Sequence, residues 1–214
     1  MFFPNLKNFI LSLKWNLIIR LFFRRKIDID GWVVFTGEVK FKLNSSARPS
    51  LYIGKGSTFL GNVDLRTRDT ATLHLGANLR LDGPIRIVAA GKDKTVTIED
   101  FCRLTPYTII NGGGSIKIGR GTLIGPSFIL NANTHIFDKK STVIMSGFAH
   151  YDIEIGEDVW IGGQVSILPG AHVSSHCIIG AQSLVNSELP PWSISVGTPA
   201  RVIDWRDKTK KLEL

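Results

Sequence analysis

A repeat of six residues constrains the fold of this chain more than any other feature. Branched aliphatic residues stand at every sixth position in two runs, which are Ile118, Ile124, Leu130 and Ile136, and then Ile155, Ile161, Ile167, Val173, Ile179 and Val185. The 3.6-residue period of an α-helix cannot keep such a series on one face. A short strand followed by a turn can, with the aliphatic side chain pointing inward. Stacking these units buries a continuous column, so the repeat predicts an all-β chain folded as a parallel β-helix.

The composition is that of one folded domain. With 214 residues, 43% of them hydrophobic and 9% aromatic, the chain is long and apolar enough for a sizeable core. Cys102 and Cys177 both hold the small fifth place of a hexad, which predicts buried thiols and a reducing, cytoplasmic setting. A zinc site needs a third ligand that converges with His172 and His176, so no metal is predicted.

Most of the positive charge lies in an apolar leader. The formal net charge is +8, and residues 1–26 carry six Lys and Arg with no Asp or Glu. A nucleic-acid-binding protein would carry its basic residues along the folded body, so this distribution argues against a nucleic-acid partner. Lys14 and Arg20 interrupt the apolar run, which argues against a membrane span.

The leader instead predicts an amphipathic helix. Its apolar face would comprise Leu6, Phe9, Ile10, Leu13, Leu17 and Leu21. Two interpretations stay open. The helix either packs over one end of the β-helix, or it lies on an anionic membrane surface, at the inner face of the cytoplasmic membrane.

The C-terminal hexads carry the motifs of a known family. The stretch "IGEDVWIGGQVSILPGAHVSSHCIIGAQSLV", followed by "VGTPARVI", resembles the hexapeptide-repeat acyltransferases, in the branch that acetylates sugars and some antibiotics. The resemblance covers about Leu51 to Ile203 and implies a left-handed parallel β-helix, a handedness that the spacing itself does not give. It also implies acetyl-CoA as co-substrate and a homotrimer that holds acetyl-CoA between neighbouring subunits.

The pattern and the resemblance together predict three segments: a basic amphipathic helix at 1–30, the β-helix at 31–203 and a tail at 204–214. Within the β-helix the repeat breaks at "NTHIFD", and residues 137–152 are expected to protrude as a loop. An uninterrupted prism has smooth flanks, and an expelled loop provides one wall of a binding site.

A histidine stands directly at the break. His135 occupies the sixth place of its hexad, where the side chain points outward. A neutral imidazole can accept a proton from a hydroxyl or an amine, and the matching histidine of the resembled family acts as general base. His135 is therefore the predicted base. Asn131, Asn133 and Phe148 flank it in sequence and are the predicted acceptor-binding residues, although asparagine is also common in turns.

The resemblance assigns the remaining site residues by motif. It implies that the N–H of Gly163 in "WIGG" stabilises the oxyanion and that Trp160 stands beside the thioester. Ala181 in "IGAQS" would contact the pantetheine of coenzyme A through backbone atoms. Arg201 in "GTPARVI" would meet a phosphate of coenzyme A by charge.

These observations predict an acetyl-CoA-dependent O-acetyltransferase without a metal. Its acceptor would be the hydroxyl of a sugar or of a lipid-linked glycan in bacterial cell-envelope polysaccharide biosynthesis. Two alternatives stay open: acetylation of an antibiotic of the streptogramin or chloramphenicol type, and N-acetylation of an amino sugar. A non-catalytic β-helix scaffold is a third, and His135 together with the "VWIGG" element argues against it.

Overall fold

A computed structural model describes residues 6–45, 48–137 and 141–206, and most of them form a three-faced prism. The predicted all-β parallel β-helix is confirmed, because three parallel sheets run the length of the described chain. Its first strand begins at Ile27 and its last ends at Trp205, which is slightly wider than the expected range of 31–203. Of the predicted tail, residues 207–214 lie outside the described residues.

Each sheet forms one face of the prism, and the chain visits the faces in the order A, B, C. Face A comprises Ile27–Ile29, Leu51–Ile53, Thr72–Leu75, Thr95–Ile98, Ile116–Ile118, Ile153–Ile155, His172–Val173 and Glu188–Leu189. Face B comprises Val34–Phe35, Thr58–Leu60, Arg80–Asp82, Arg103–Leu104, Leu123–Ile124, Trp160–Ile161, Ile178–Ile179, Ser193–Val196 and Arg201–Trp205. Face C comprises Val39–Lys42, Val63–Thr67, Ile85–Ala89, Thr108–Asn111, Ile129–Asn131, Ser166–Ile167 and Leu184–Val185. The final pair of face B is antiparallel.

The hexad aliphatics form the core, as the repeat predicts. Ile118, Ile124 and Leu130 are fully buried, and so are Ile161 and Ile167 further along. Ile136 is the exception: it keeps the six-residue spacing but is 41% exposed. The chain has already left the prism at this residue. The six-residue spacing therefore includes one position that is not part of a coil.

Both cysteines lie in the core, where the hexad pattern puts them. Cys102 and Cys177 are buried and form no disulfide. Burial raises the pKa of the Cys102 thiol to about 11, because the apolar interior disfavours a thiolate. A thiol in this state is a poor nucleophile, and packing accounts for its position.

The N-terminal helix covers the first coil through both apolar and polar side chains: Ile19 is buried, and Trp15 and Phe23 pack against the core. An α-helix at Leu6–Ile18 continues as a short π-helix at Ile19–Phe23. The Ser12 hydroxyl accepts from the N–H of Phe35 at 2.9 Å and lies 3.0 Å from the Phe35 carbonyl oxygen. The Asn16 side chain donates to the Val33 carbonyl at 2.7 Å and accepts from the Val33 N–H at 3.3 Å. These bonds satisfy backbone groups at the open end of the prism.

The predicted apolar face of this helix points away from the prism. Leu13, Leu17 and Leu21 are 47%, 55% and 62% exposed, whereas Ser12 and Asn16 on the packed side are buried. The helix thus packs over the first coil, which is one of the two open interpretations, but its predicted apolar face does not make this contact, because the first coil presents hydrogen-bonding groups that need polar partners. No helix in the described ranges is long and apolar enough to cross a membrane.

Candidate active site

The break in the repeat is a two-stranded antiparallel ribbon that projects from the corner between faces C and A. Asn133–His135 pairs with Phe148–His150. Asn133 lies opposite His150, Thr134 opposite Ala149 and His135 opposite Phe148. Backbone bonds from Ile136 to Gly147 and from Tyr151 to Ala132 extend the pairing at both ends. The protrusion thus begins four residues before the predicted loop of 137–152, and residues 138–140 of that loop lie outside the described residues.

Strand pairing brings three predicted site residues onto one face of this ribbon. Directly opposed residues share a side, and so do residues two apart, so Asn133, His135, Phe148 and His150 all project together. The His135 and Phe148 rings lie 4.3 Å apart between centroids, and the His150 and Phe148 rings 6.4 Å apart. His135 is exposed, so a substrate hydroxyl can reach its ring.

Three consecutive glycines explain how the ribbon folds against the prism. A Cβ on Gly113 would lie 2.7 Å from Nδ1 of His150 and 3.0 Å from Cβ of Asn133. A Cβ on Gly114 would lie closer still to the backbone of Tyr151. Any larger residue would push the ribbon away. The "GGGS" stretch is therefore the surface against which the ribbon packs, as well as a turn of the coil.

Asp152 anchors the returning strand. One of its carboxylate oxygens accepts from the N–H of Ser115 at 2.7 Å and from Nζ of Lys94 at 3.1 Å. The bond from Ser115, helped by the charge of Lys94, holds the pKa of this carboxyl below its ordinary value. The ribbon therefore re-enters face A from a fixed point.

Asn131 lies apart from the ribbon face. It ends a strand of face C, and its side-chain oxygen accepts from the Asn111 amide at 2.8 Å. Asn111 is its partner in the parallel register, so the two amides stack on successive coils. The predicted acceptor-binding role of Asn131 remains a prediction.

The predicted backbone donors lie at a different corner, between faces B and C. Leu104, Ile124, Ile161 and Ile179 are in register, so the residues two positions later also stack. These are Pro106, Pro126, Gly163 and Ala181, which we call the corner column. The first two lack an N–H. In the described part of the chain no acceptor takes the N–H of Gly163 or of Ala181.

The corner column has a simple backbone geometry. The residue that follows each member has a positive φ: Tyr107 at 66°, Ser127 at 59°, Gln164 at 59° and Gln182 at 60°. This is the pattern of a type II turn, in which proline is favoured at the first central position and the second has φ above zero. The free N–H groups of Gly163 and Ala181 follow from this turn, in which the first central residue does not donate.

Trp160 and Arg201 complete the set predicted from motifs. Trp160 is 51% exposed on face B, three residues before Gly163. Arg201 pairs with Val196, which packs against Gly180, the neighbour of Ala181. One guanidinium nitrogen of Arg201 donates to the Ala200 carbonyl at 2.8 Å, which leaves its other donors available. These residues therefore follow the last coils towards the C-terminal end of the prism.

The base and the backbone donors do not meet within one chain. The ribbon leaves the corner between faces C and A, whereas Gly163 and Ala181 belong to the corner between faces B and C. Face C lies between them, and even its three-residue strand Ile129–Asn131 spans about 10 Å. One chain thus presents the predicted base and the predicted oxyanion donor as two separate groups, which we call the half-sites.

Two cavities adjoin the ribbon. The larger, of about 590 Å³, lies on face A beside Asp152, and the Glu154 carboxylate at its lining lies 3.4 Å from Nζ of Lys117 and 3.9 Å from Nδ1 of His172. The smaller, of about 310 Å³, lies on face C and is lined by Arg66, Arg68, Arg86, Val88, Ala90, Asn111, Gly112 and Asn133. We call the second cavity the arginine pocket. In residues 6–45, 48–137 and 141–206, no group of three or more His, Cys, Asp or Glu could hold a metal ion.

Sequence reasoning missed His150 and the three arginines. His150 ends the protruding segment in "GFAHYD", and a second histidine close to the break was an available signal. Its place opposite Asn133 depends on the register of the ribbon. The arginines belong to the N-terminal coils, where the hexad period is weak.

Comparisons with known proteins agree with the fold and the motifs. The model of the family "Bacterial transferase hexapeptide (six repeats)" matches residues 152–187. A candidate acetyltransferase of Mycobacterium tuberculosis, Rv3034c, is 29% identical over 197 residues, which cover 90% of this chain and 61% of the relative. This chain therefore spans less than two thirds of that relative. A candidate lipopolysaccharide biosynthesis O-acetyl transferase of Escherichia coli, WbbJ, is 27% identical over 153 residues, which cover 68% of this chain and 78% of the relative.

A solved structure has the same fold. The crystal structure of the polysialic acid O-acetyltransferase OatWY matches with a TM-score of 0.57 over 88% of this chain and 94% of that one. The sequences are 14% identical over this match, so the likeness concerns the fold alone.

Proposed function

We propose that the chain is a hexapeptide-repeat acyltransferase and that it transfers an acetyl group from acetyl-CoA to a hydroxyl of a sugar. The observation that carries the proposal is the ribbon face, where His135 stands exposed beside Asn133, Phe148 and His150. An imidazole next to an aromatic ring and polar side chains suits a sugar, which offers both apolar C–H faces and hydroxyl groups. The E. coli relative, named for O-acetyl transfer in lipopolysaccharide biosynthesis, supports an envelope glycan as acceptor.

The chemistry requires a base and an oxyanion donor. In the proposed reaction His135 takes the proton of the acceptor hydroxyl as its oxygen attacks the thioester carbonyl. The negative charge that develops on the carbonyl oxygen is met by the free N–H of Gly163. The carbon–sulfur bond then breaks, and the imidazolium returns its proton to the departing thiolate. Trp160, Ala181 and Arg201 would hold the coenzyme along the last coils.

Incubation with acetyl-CoA and a panel of acceptors tests this function. We expect thiol release with at least one sugar, oligosaccharide or lipid-linked glycan, and a product that hydroxylamine cleaves, because esters are cleaved and amides resist. Amino sugars and chloramphenicol serve as competing acceptors. Transfer only to an amine, or only to the antibiotic, would contradict the proposal in favour of one of those classes.

We propose that the active protein is a homotrimer. Two observations support this. The half-sites of one chain are separated by face C, so a complete site needs the ribbon of one copy and the corner column of another. The tip of the ribbon also exposes Phe137, Ile144 and Met145 at 79%, 83% and 78%, and such an apolar cluster suits a partner surface. A closed three-fold ring would give every copy the same contact.

We also propose that the N-terminal helix docks on an anionic membrane surface. The helix is anchored to the prism by Ser12 and Asn16, so its outward apolar residues have no role in capping. Leu17, Leu21 and Phe22 are 55%, 62% and 78% exposed, and basic residues flank them. Apolar side chains at the headgroup boundary and cations in water are the arrangement of an interfacial helix. An enzyme held there would meet a lipid-linked acceptor.

A charge variant tests the docking. Each Lys or Arg near an anionic surface contributes about 1 kcal/mol, so changing four to glutamine should weaken binding to phosphatidylglycerol vesicles by roughly a thousandfold. The four are Lys7, Lys14, Arg24 and Arg25, all exposed. Lys26 is left unchanged because its Nζ donates to the Asn44 carbonyl at 2.8 Å.

A matched control separates location from net charge. It carries the same four-charge change on the prism at Lys55, Lys92, Arg103 and Lys117, all exposed. We expect this control to co-sediment with vesicles like the wild type and to release them in high salt. Undiminished binding by the helix variant, or equal loss in the control, would contradict docking through the helix.

A further inference from the structure

The arginine pocket is built by the register of successive coils. Arg66 pairs with Val88, and Val88 pairs with Asn111 on the next coil, so their outward side chains stand in one column. Asp64 pairs with Arg86 in the neighbouring column. Residues that are 22 or 23 positions apart in sequence thus converge on one patch of face C.

Small residues line the bottom of this patch and leave a cavity there. Ala90 and Gly112 lie where long side chains would fill the space between the arginines and Asn133. A Cβ on Gly112 would lie 2.8 Å from the Val88 carbonyl oxygen, so the backbone itself excludes a side chain there. The resulting volume of about 310 Å³ is at the lower end of the range for small-molecule sites.

The pocket keeps a positive charge after its internal pairing. Arg66 is held by Asp64, to which its Nε donates at 2.9 and 3.0 Å, and this bond lowers the pKa of the Asp64 carboxyl. Arg68 and Arg86 are exposed, and neither forms an ion pair with any residue that the structure describes. The carboxylate of Asp64 is thus already neutralised by Arg66, and the guanidinium groups of Arg68 and Arg86 remain.

The pocket is continuous with the proposed catalytic face. Asn133 lines it, and His135 follows two residues later on the same side of the ribbon. Two residues of a strand span about 7 Å, which is comparable to the distance from a sugar hydroxyl to a substituent across the ring or on the adjoining unit. A glycan with its hydroxyl at His135 would extend into the pocket.

We propose that the arginine pocket binds an anionic group, a carboxylate or a phosphate, carried by the acceptor glycan. Guanidinium groups bind both groups through paired, charge-assisted hydrogen bonds, and the Asn111 and Asn133 amides can add neutral donors. The pocket thereby selects acidic glycans over neutral ones. That the bound glycan is an acetyl acceptor rests on the proposed function, whereas the binding of acidic glycans rests on the pocket alone.

Direct binding tests it without relying on turnover. The probes are a galacturonic acid trisaccharide, its neutral form with reduced carboxyl groups, a phosphorylated trisaccharide, and acetyl-CoA. We expect the wild type to bind at least one anionic probe about tenfold more tightly than the neutral one. The variant Arg68→Gln with Arg86→Gln should lose this preference while its Kd for acetyl-CoA is unchanged. Arg80→Gln with Arg103→Gln, a stacked arginine pair on face B, is the matched control and should keep the preference.

Each of the next three results would overturn the assignment. Equal binding of neutral and anionic probes by the wild type would show that the pocket is not an anion-binding site. A loss of acetyl-CoA affinity in the pocket variant would reassign the arginines to the phosphates of coenzyme A. An equal loss in the face B control would make the effect one of net charge. Preference for anionic probes in a protein that fails to acetylate any acceptor would support the pocket and contradict the proposed function separately.

Discussion

Replacing His135 by alanine should lower kcat for acetyl transfer by at least about a hundredfold, because general-base catalysis by a positioned side chain contributes 10²- to 10⁴-fold. The side chain is exposed on the ribbon, so the prism should keep its stability and its thermal unfolding transition. The KM for acetyl-CoA should change little, because His135 is proposed to act on the acceptor hydroxyl, whereas Trp160, Ala181 and Arg201 are proposed to hold the coenzyme. Steady-state kinetics with the best acceptor of the panel measures both constants.

Two further variants separate basicity from shape. His135→Gln keeps a polar side chain beside Phe148 without a basic nitrogen, and it should be as impaired as the alanine variant. His172→Gln removes a half-buried histidine from face A and should retain full activity. Near-normal turnover by His135→Gln would show that the residue positions the ribbon, and His150, on the same ribbon face, would become the next candidate for the base.

The fold was predictable where the coil length is three hexads. Ile155 pairs with Val173 and Ile161 with Ile179, both 18 residues later, so the spacing in sequence equals the spacing in the structure. In the N-terminal half Leu51 pairs with Leu73, 22 residues later. The extra residues lengthen strands or corners and break the six-residue period without disturbing the stack. The sequence of the C-terminal coils therefore predicted the β-helix directly, whereas the coils of the N-terminal half were harder to recognise from their sequence.

The candidate site was predictable residue by residue but not as an arrangement. Motifs indicated His135 and Gly163, yet the ribbon register that adds His150, and the coil register that gathers Arg66 and Arg86, are pairings between distant positions. The orientation of the N-terminal helix was not predictable from the sequence either. Its predicted apolar face lies outward, because the first coil presents the backbone groups of Val33 and Phe35, which need polar partners.

Replacing Gly163 by proline should lower kcat by about a hundred- to a thousandfold, which is the cost of removing one oxyanion donor. The change deletes a single N–H. It should be tolerated, because Pro106 and Pro126 occupy the equivalent positions of the two preceding coils, at the place in a type II turn that proline favours. Gly163→Ala keeps the N–H and is the matched control, since its Cβ would meet only Pro126 at 3.4 Å, an ordinary contact. If the proline variant folds and keeps normal kcat, Gly163 is not the donor.

The proline variant also tests whether each site is shared between subunits. His135→Ala and Gly163→Pro subunits with different tags would be co-expressed, and the mixed assemblies isolated. If the base comes from one copy and the N–H from its neighbour, the isolated mixed trimers should recover about a third of the wild-type activity, because one interface in three joins an intact His135 to an intact Gly163. If both groups serve a site within one chain, every site lacks one of them and no activity returns. Failure to recover activity, or a monomer in sedimentation velocity with full wild-type turnover, would contradict the shared site.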